Sequence, residues 1–253
     1  MNDNLVSIIM PCHNAEKTIK EAIDSVMEQI YTSWELIVID DCSTDSSVEI
    51  ISTFSEKDSR IKLFHTDKSV GKPYYPRNLG ISNSNGRYIA FLDSDDIWLP
   101  TKLMNQIPLF QDENVAIVFS YYEKFSTSRV QNKTDRIIKS PETVSFKSAL
   151  YGNPIGNLTG IYDTKKVGKI LYEDAGHEDY ILWLSILKKG FIARNTNSIE
   201  ARYRVAENSV SSNKGRAALW TWNIYRNSLG FNFPKSLYCY TLYIINGVLK
   251  FLK

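Results

Sequence analysis

Five aspartates follow directly after two short apolar segments of the chain: Asp40, Asp41, Asp93, Asp95 and Asp96. Carboxylates held close together repel one another, so a bound divalent cation would relieve the cost of gathering them. Carboxylate, phosphate oxygen and water are ligands suited to Mn²⁺ or Mg²⁺. The pattern therefore predicts a divalent-metal site, and with a nucleoside diphosphate such a metal would neutralise the charge that develops on the leaving group. Helix capping is a fair alternative for Asp41, but it explains poorly three acids within four residues at Asp93 to Asp96.

A second acidic pair, Glu178-Asp179, stands at the start of a segment whose apolar spacing predicts a helix over residues 179 to 189. Acidic side chains are favourable at a helix N-terminus because of the helix dipole. Taken alone, the pair is explained by that effect, and no chemistry is required.

The elements that must position these acids alternate through the first 120 residues. The predicted strands are Leu5 to Met10, Glu35 to Ile39, Ile61 to Phe64, Tyr88 to Leu92 and Val115 to Ser120. The predicted helices are Ala15 to Gln29, Thr44 to Lys57, Arg77 to Ser84 and Pro100 to Phe110. Continuous apolar strands separated by helices indicate an α/β fold with a mostly parallel central sheet flanked by helices. Ligands bind such sheets beyond the carboxyl ends of the strands, where the five aspartates lie.

Cysteine usage and hydropathy suggest where the protein works. Three cysteines, an odd number without Cys-x-x-Cys spacing, disfavour a disulfide framework and a zinc site. A reducing, cytoplasmic location fits best, and no signal peptide is expected. No apolar stretch reaches the roughly 18 to 20 residues needed to span a bilayer.

Positive charge is concentrated at the C-terminal end, where residues 201–253 hold eight Lys/Arg against one acid, Glu207. Residues 216–253 are predicted to form a basic, amphipathic C-terminal helical segment. Peripheral contact with the inner face of the plasma membrane, packing on the core and a homodimer contact stay open for it. Nucleic acid is not an expected partner, because no patterned aromatic residues or groove-reading element accompany the charge.

Four segments, in order, resemble the family 2 glycosyltransferases, which are inverting enzymes with the GT-A fold. They are Ser7 to Ser47, Pro76 to Ile81, Gly86 to Trp98 and Ala175 to Gly190. The resemblance implies a bacterial enzyme that moves a hexose or N-acetylhexosamine from a UDP-sugar to an acceptor hydroxyl. The implied acceptor is a lipid-diphosphate-linked saccharide in O-antigen, capsule or lipopolysaccharide synthesis. Non-processive transfer is expected, because the Gln-x-x-Arg-Trp motif of processive polymerases does not follow Asp179.

The resemblance also implies a division of one GT-A domain. Residues 1–120 would form the nucleotide-sugar-binding half, and residues 121–215 the acceptor-binding and catalytic half. The residues implied to contact the nucleotide-sugar are Pro11, His13, Asn14, Asp40, Asp41, Arg77, Asp93, Ser94 and Arg204. Arg204 lies in a segment, Arg202 to Lys214, that is predicted to be a loop, and Ser209 and Ser211 are further candidates for contacting the diphosphate.

The resemblance further implies metal and catalytic residues. Asp95 and Asp93 would hold the metal, and Asp179 would be the general base with Glu178 beside it. His13 and Cys42 depart from the usual aromatic residue and glycine, so the identity of the base stays open. A nucleotidyltransferase is disfavoured because no Gly-rich loop follows the first strand, whereas a nucleotide-sugar-binding scaffold without catalysis remains an alternative.

Overall fold

The computed structural model describes residues 2–126, 136–205 and 214–251. Its strands are β1 (Asn2–Cys12), β2 (Trp34–Asp40), β3 (Ile61–His65), β4 (Gly86–Phe91), β5 (Ile97–Trp98), β6 (Val115–Phe125), β7 (Arg136–Ile138), β8 (Thr143–Val144), β9 (Ile161–Asp163) and β10 (Ile192–Arg204). Its α-helices are α1 (Ile19–Met27), α2 (Ser47–Lys57), α3 (Tyr74–Asn83), α4 (Lys102–Gln106), α5 (Phe146–Ala149), α6 (Thr164–Val167), α7 (Glu178–Leu187), α8 (Lys214–Asn223) and α9 (Phe233–Phe251). Short 3₁₀ segments (Ile107–Gln111 and Asn157–Thr159) and a π-helical segment (Ile224–Ser228) complete the described elements.

The strands form one mixed sheet whose main path has the order β3-β2-β1-β4-β9-β6-β10-β5. The first four strands along this path are parallel, and the register pairs Cys12 at the end of β1 with Asp40 at the end of β2. Antiparallel pairs begin where β9 joins β4 to β6, and β10 then runs parallel to β6. The predicted α/β fold is confirmed, with parallel pairing uninterrupted only in the half that carries the strand-end aspartates.

Alternate strand residues bury against opposite layers of helices. All seven residues of β2 are buried, with Ile37 in the core cluster that includes α7 and Leu36 in the cluster that includes α1. Helix α3 lies very close to the sheet at Gly80, where a Cβ atom would stand 2.6 Å from the side chains of Ile9 and Ile39. Only glycine allows this approach without displacing the core.

The bounds of several predicted elements differ in the structure; α1, for example, begins at Ile19 rather than at Ala15. Two of the differences have a clear physical reason. The helix expected over Pro100 to Phe110 changes to 3₁₀ geometry at Ile107, because Pro108 has no N–H to continue the α-helical hydrogen bonds. The loop expected to begin at Arg202 begins later, since β10 continues to Arg204 through pairing with Phe125 of β6. Arg204 therefore lies on a strand.

The C-terminal segment is helical, as predicted, and α9 packs on the core through one face. Ser236 and Cys239 are buried on that face, whereas apolar side chains on the opposite face are exposed. These exposed side chains are Phe233, Leu237, Tyr238, Ile244, Ile245 and Val248. Across residues 2–126, 136–205 and 214–251, no helix is both long and apolar enough to cross a bilayer.

Candidate functional site

The loop after β4 carries Asp93, Asp95 and Asp96. We call these three residues, together with Asp40 and Asp41, the strand-end acids. Asp96 is buried and accepts a hydrogen bond from the backbone N–H of Arg204 at 2.9 Å. Burial, with the charge of Asp93 beside it, raises the pKa of Asp95, and burial raises that of Asp96 further above the ordinary value. The loop therefore concentrates carboxylates whose ionisation a cation would favour.

Arg77 on α3 joins this loop to the second acidic pair. Its Nη2 donates to Asp93 Oδ1 at 2.6 Å, and its Nη1 lies 3.5 Å from Glu178 Oε2. Arg77 is 8% exposed, and its guanidinium carbon lies 5.4 Å from the ring centroid of Tyr172. Arg77 is thus buried between carboxylates that are far apart in sequence, and both lower the cost of keeping its charge away from water.

Glu178 and Asp179, the helix acids, begin α7 directly after His177, whose φ is 56°. Burial raises the pKa of Glu178 to about 7, with Arg77 opposing and Asp179 reinforcing that shift. Burial also raises the pKa of Asp179, opposed chiefly by the His177 imidazole. Asn153 Nδ2 donates to Asp179 Oδ2 at 2.9 Å, which orients this carboxylate. Two half-buried acids with raised pKa values, side by side, are typical of a site of proton transfer.

The helix acids open into a cavity of about 980 Å³ between α7, α8 and the segment that precedes α3. Lys72, Arg77, Asp174, His177, Trp220 and Asn223 also line it. Trp220 packs so tightly on Gly176 that a Cβ atom there would lie 2.0 Å from the indole. Any larger residue would push the tryptophan out of the cavity wall, so this glycine sets the wall's position.

The loops after β1 and β2 lie side by side and are linked by their own side chains. Asn14 Oδ1 accepts from the backbone N–H of Thr44 at 2.8 Å, and His13 Nδ1 lies 2.7 Å from the carbonyl oxygen of Asp41. Asn14 and Cys42 have φ of 50° and 59°, in the left-handed region. Glycine adopts this region at little steric cost, so the backbone at position 42 would suit the glycine that the family resemblance leads us to expect there.

Asp40, the last residue of β2, and Asp41, which follows it, are also hydrogen-bonded by other residues of the chain. Asp41 accepts hydrogen bonds from the hydroxyls of Thr66 and Ser69 at 2.8 and 2.7 Å. Asp40 accepts longer bonds, at 3.3 Å, from the backbone N–H of Ser43. Pro11, two residues before His13, pairs with Ile39 in the parallel register. The two carboxylates are therefore positioned by hydrogen bonds from within the chain.

Arg204 supports the loop after β4. Its Nε donates to the carbonyl oxygen of Asp95 at 2.7 Å, and its Nη2 pairs with Glu21 of α1. The side chain is nearly buried, so these contacts fix the backbone beside Ser94 and Asp95. Ser209 and Ser211 lie outside the described residues.

Three functional candidates were missed by the sequence reasoning: Asn153, Tyr172 and Trp220. Asn153 precedes Pro154 in an irregular segment, and nothing local distinguishes it from a turn residue. The tertiary fold brings Tyr172 against Arg77, and it brings Trp220 against His177. No local signal in the sequence identifies them.

The geometry agrees with comparisons to known proteins. The family model for glycosyl transferase family 2 matches residues 7–167. The chain is 36% identical over 247 residues to the putative teichuronic acid biosynthesis glycosyltransferase TuaG of Bacillus subtilis (strain 168), covering 97% of each chain. It is 37% identical over 251 residues to the UDP-Glc:alpha-D-GlcNAc-diphosphoundecaprenol beta-1,3-glucosyltransferase WfgD of Escherichia coli, covering 99% of this chain and 96% of the relative.

Solved structures with low sequence identity share the fold. S. aureus TarS 1-349 in complex with UDP-GlcNAc superposes with a TM-score of 0.68 at 21% identity, over 94% of this chain and 71% of that one. The mannosyltransferase PcManGT from Pyrobaculum calidifontis, in complex with GDP-Man and Mn²⁺, gives 0.69 at 17% identity, over 90% and 64%. The fold is of the GT-A type. On its sequence and its fold, the chain belongs to glycosyl transferase family 2 and is a glycosyltransferase.

Proposed function

We propose that this glycosyltransferase is inverting and non-processive, and that it moves a hexose or N-acetylhexosamine from a UDP-sugar to a hydroxyl of a lipid-diphosphate-linked saccharide in bacterial surface polysaccharide synthesis. The observation that carries the proposal is the position of Arg77 between Asp93 and Glu178. The buried guanidinium of Arg77 connects one strand-end acid, Asp93, to one helix acid, Glu178, and it also lines the cavity into which the helix acids open. The acceptor class is supported by WfgD, whose name specifies a diphosphoundecaprenol-linked sugar.

Asp179 is the proposed general base. Its carboxylate lies on the cavity wall and is oriented by Asn153, so that it accepts the proton of the acceptor hydroxyl as the oxygen attacks the anomeric carbon. Glu178, beside it, faces Arg77 and has a pKa of about 7. We assign to Glu178 two roles: it pairs with Arg77, and it adjusts the electrostatic environment of the proposed base, Asp179.

Asp95 and Asp93 are the proposed ligands of Mn²⁺ or Mg²⁺. Within the described residues, no three His, Cys, Asp or Glu side chains gather into a metal-binding group. Such ions are commonly held by one or two carboxylates with substrate phosphates and water. The raised pKa of Asp95 supports the assignment, because a cation would stabilise this carboxylate in its charged form. When bound, the metal would neutralise negative charge on the nucleoside diphosphate.

The nucleotide is proposed to occupy the loops after β1, β2 and β4. Pro11, His13, Asn14, Asp40, Asp41, Ser94 and Arg77 would surround it. Arg204 is proposed to act on the diphosphate mainly by supporting the loop of Asp95, since its side chain is already bonded there. The proposed division of the GT-A domain is a nucleotide-sugar-binding half at residues 1–120 and an acceptor-binding and catalytic half at residues 121–215. Residues 216–253 form the proposed C-terminal segment.

Titration of the purified chain with UDP, with and without Mn²⁺ and repeated on Asp95→Ala, tests the donor site. Metal-dependent binding that is lost in the variant is expected. A second assay follows UDP release from UDP-sugars in the presence of a GlcNAc-diphosphate-lipid. Absence of UDP binding under every metal condition contradicts the donor assignment, and binding without any turnover favours the scaffold alternative.

The outer face of α9 is proposed to contact the anionic inner surface of the plasma membrane. Its exposed apolar stripe is accompanied by the exposed cations Arg226 and Lys235, a combination typical of interfacial helices. Co-sedimentation with anionic liposomes at low salt is expected and should weaken in Leu237→Ser/Ile245→Ser. Equal sedimentation of wild type and variant contradicts this placement.

A further inference from the structure

A second cavity, of about 270 Å³, adjoins the main one. The two share the lining residues Glu173, Ile181, Ile224 and Ser228. The smaller cavity therefore continues the site away from the helix acids, along the side of α7, towards the C-terminal end of that helix. We call this continuation the α7 groove.

The α7 groove follows one face of the helix. Ile181, Leu184, Ser185 and Lys188 line it, at the i, i+3, i+4 and i+7 spacing that places side chains on a common face. At 1.5 Å per residue, Lys188 lies about 13 Å along the helix axis from Asp179. The floor of the α7 groove is apolar, because Leu184, Ile224 and Leu229 line it and are buried.

Three charged residues face the groove. Lys188 is exposed, and its Nζ has no hydrogen bond or ion pair with any described residue. Lys189 is fixed by donating to the carbonyl oxygen of Val167 at 2.7 Å. Glu173, at the junction of the two cavities, accepts from the hydroxyl of Ser228 at 2.9 Å. The far end of the groove is therefore positive, with Lys188 available to an anion.

We infer that the α7 groove binds the diphosphate and the first isoprenoid unit of a prenyl-diphosphate-linked acceptor, with Lys188 paired to the diphosphate. The acceptor sugar would lie between Asp179 and Lys188, where the main cavity gives it room, and the apolar floor would cover the start of the lipid. This inference rests on the proposed acceptor class. It assigns the acceptor's anionic group to Lys188, which lies in the segment Ala175 to Gly190 but is not among the residues that the family resemblance implies for the nucleotide-sugar, the metal or catalysis.

Geranyl diphosphate is the probe for the groove, titrated by calorimetry into the full chain saturated with UDP and Mn²⁺, so that the nucleotide site is filled. Lys188→Gln should weaken its binding about five- to tenfold, as expected for one solvent-accessible charge pair. Lys57→Gln, an exposed lysine at the end of α2, is the matched control and should bind like wild type. Inorganic pyrophosphate should bind more weakly than geranyl diphosphate, because it leaves the apolar floor uncovered.

Equal affinity of wild type and Lys188→Gln for geranyl diphosphate overturns the inference, as does equal affinity of wild type for pyrophosphate and geranyl diphosphate. A transfer assay separates the groove from the proposed function. Lys188→Gln should raise the KM for a GlcNAc-diphosphate-lipid several-fold while leaving the KM for an alkyl GlcNAc without diphosphate unchanged. If geranyl diphosphate binding depends on Lys188 but no lipid acceptor is glycosylated, the inference about the groove is supported and the proposed function is contradicted. If Lys188→Gln glycosylates the lipid acceptor normally, the proposed function is supported and the inference about the groove is contradicted.

Discussion

The strand-end acids and the helix acids are held in different ways. Asp41 is bonded by Thr66 and Ser69, which follow the neighbouring strand β3, so register within a parallel sheet is enough to place it. Asp179 and Glu178 depend on Asn153 and Arg77, which come from separate parts of the chain. The proposed nucleotide side is therefore organised by local sheet geometry, whereas the proposed catalytic side also depends on contacts between segments that are distant in sequence.

The sharpest test of the comparison is removal of the proposed base. Asp179→Asn keeps the hydrogen-bonding shape but cannot take a proton, so kcat should fall by about 10² to 10⁴ while the Kd for UDP stays unchanged. Asp24→Asn, an exposed residue of α1 paired with Lys20, is the control. A loss of UDP affinity equal to the loss of kcat would show that the two regions do not work separately.

Arg77 is the residue that links the two regions, and its removal should damage both. Arg77→Met leaves Asp93 and Glu178 without their cation, so both kcat and UDP affinity should fall, and the free energy of unfolding should drop by about 2–3 kcal/mol. Denaturant unfolding and UDP titration measure these effects. A double-mutant cycle with Glu178→Gln should show coupling, and additive losses would disprove the link.

The pH dependence of stability should report on the helix acids. The pKa of Glu178 is raised from 4.5 to about 7, so between these values the folded protein binds more protons than the unfolded chain. Stability of the free protein therefore falls as pH rises from about 4.5 to about 7, by up to about 3 kcal/mol from this group. Glu178→Gln should flatten this slope, as measured by chemical unfolding across the range. An unchanged slope would place the titration elsewhere.

The smallest expected effect lies in the loop after β2. Cys42→Gly should raise the free energy of unfolding by about 1 kcal/mol or less, because glycine relieves the left-handed backbone strain but adds entropy to the unfolded chain. Cys42→Ala keeps the strain and should give no gain. The thermal midpoints of the two variants decide the matter, and a stabilised alanine variant would refute this explanation.

Much of the nucleotide side followed from sequence pattern. Apolar strands alternating with helices predicted the parallel sheet of β1 to β4, and the aspartates after Ile39 and Leu92 lie at its carboxyl edge, as expected. The extent of β10 was wrong at Arg202 to Arg204, because long-range pairing with β6 outweighs the polar local sequence there. The roles of the individual site residues stay predictions.

Periodicity and short motifs were sufficient to predict the fold class, the family and the positions where acids would gather. The positions of Arg77 between Asp93 and Glu178 and of Asn153 beside Asp179 emerge only from the tertiary structure. The same holds for Trp220 and Lys188, which line two adjoining cavities. The physical reason is that motifs report local geometry, whereas burial and charge pairing depend on which distant segments meet. The raised pKa values of the helix acids arise from that meeting.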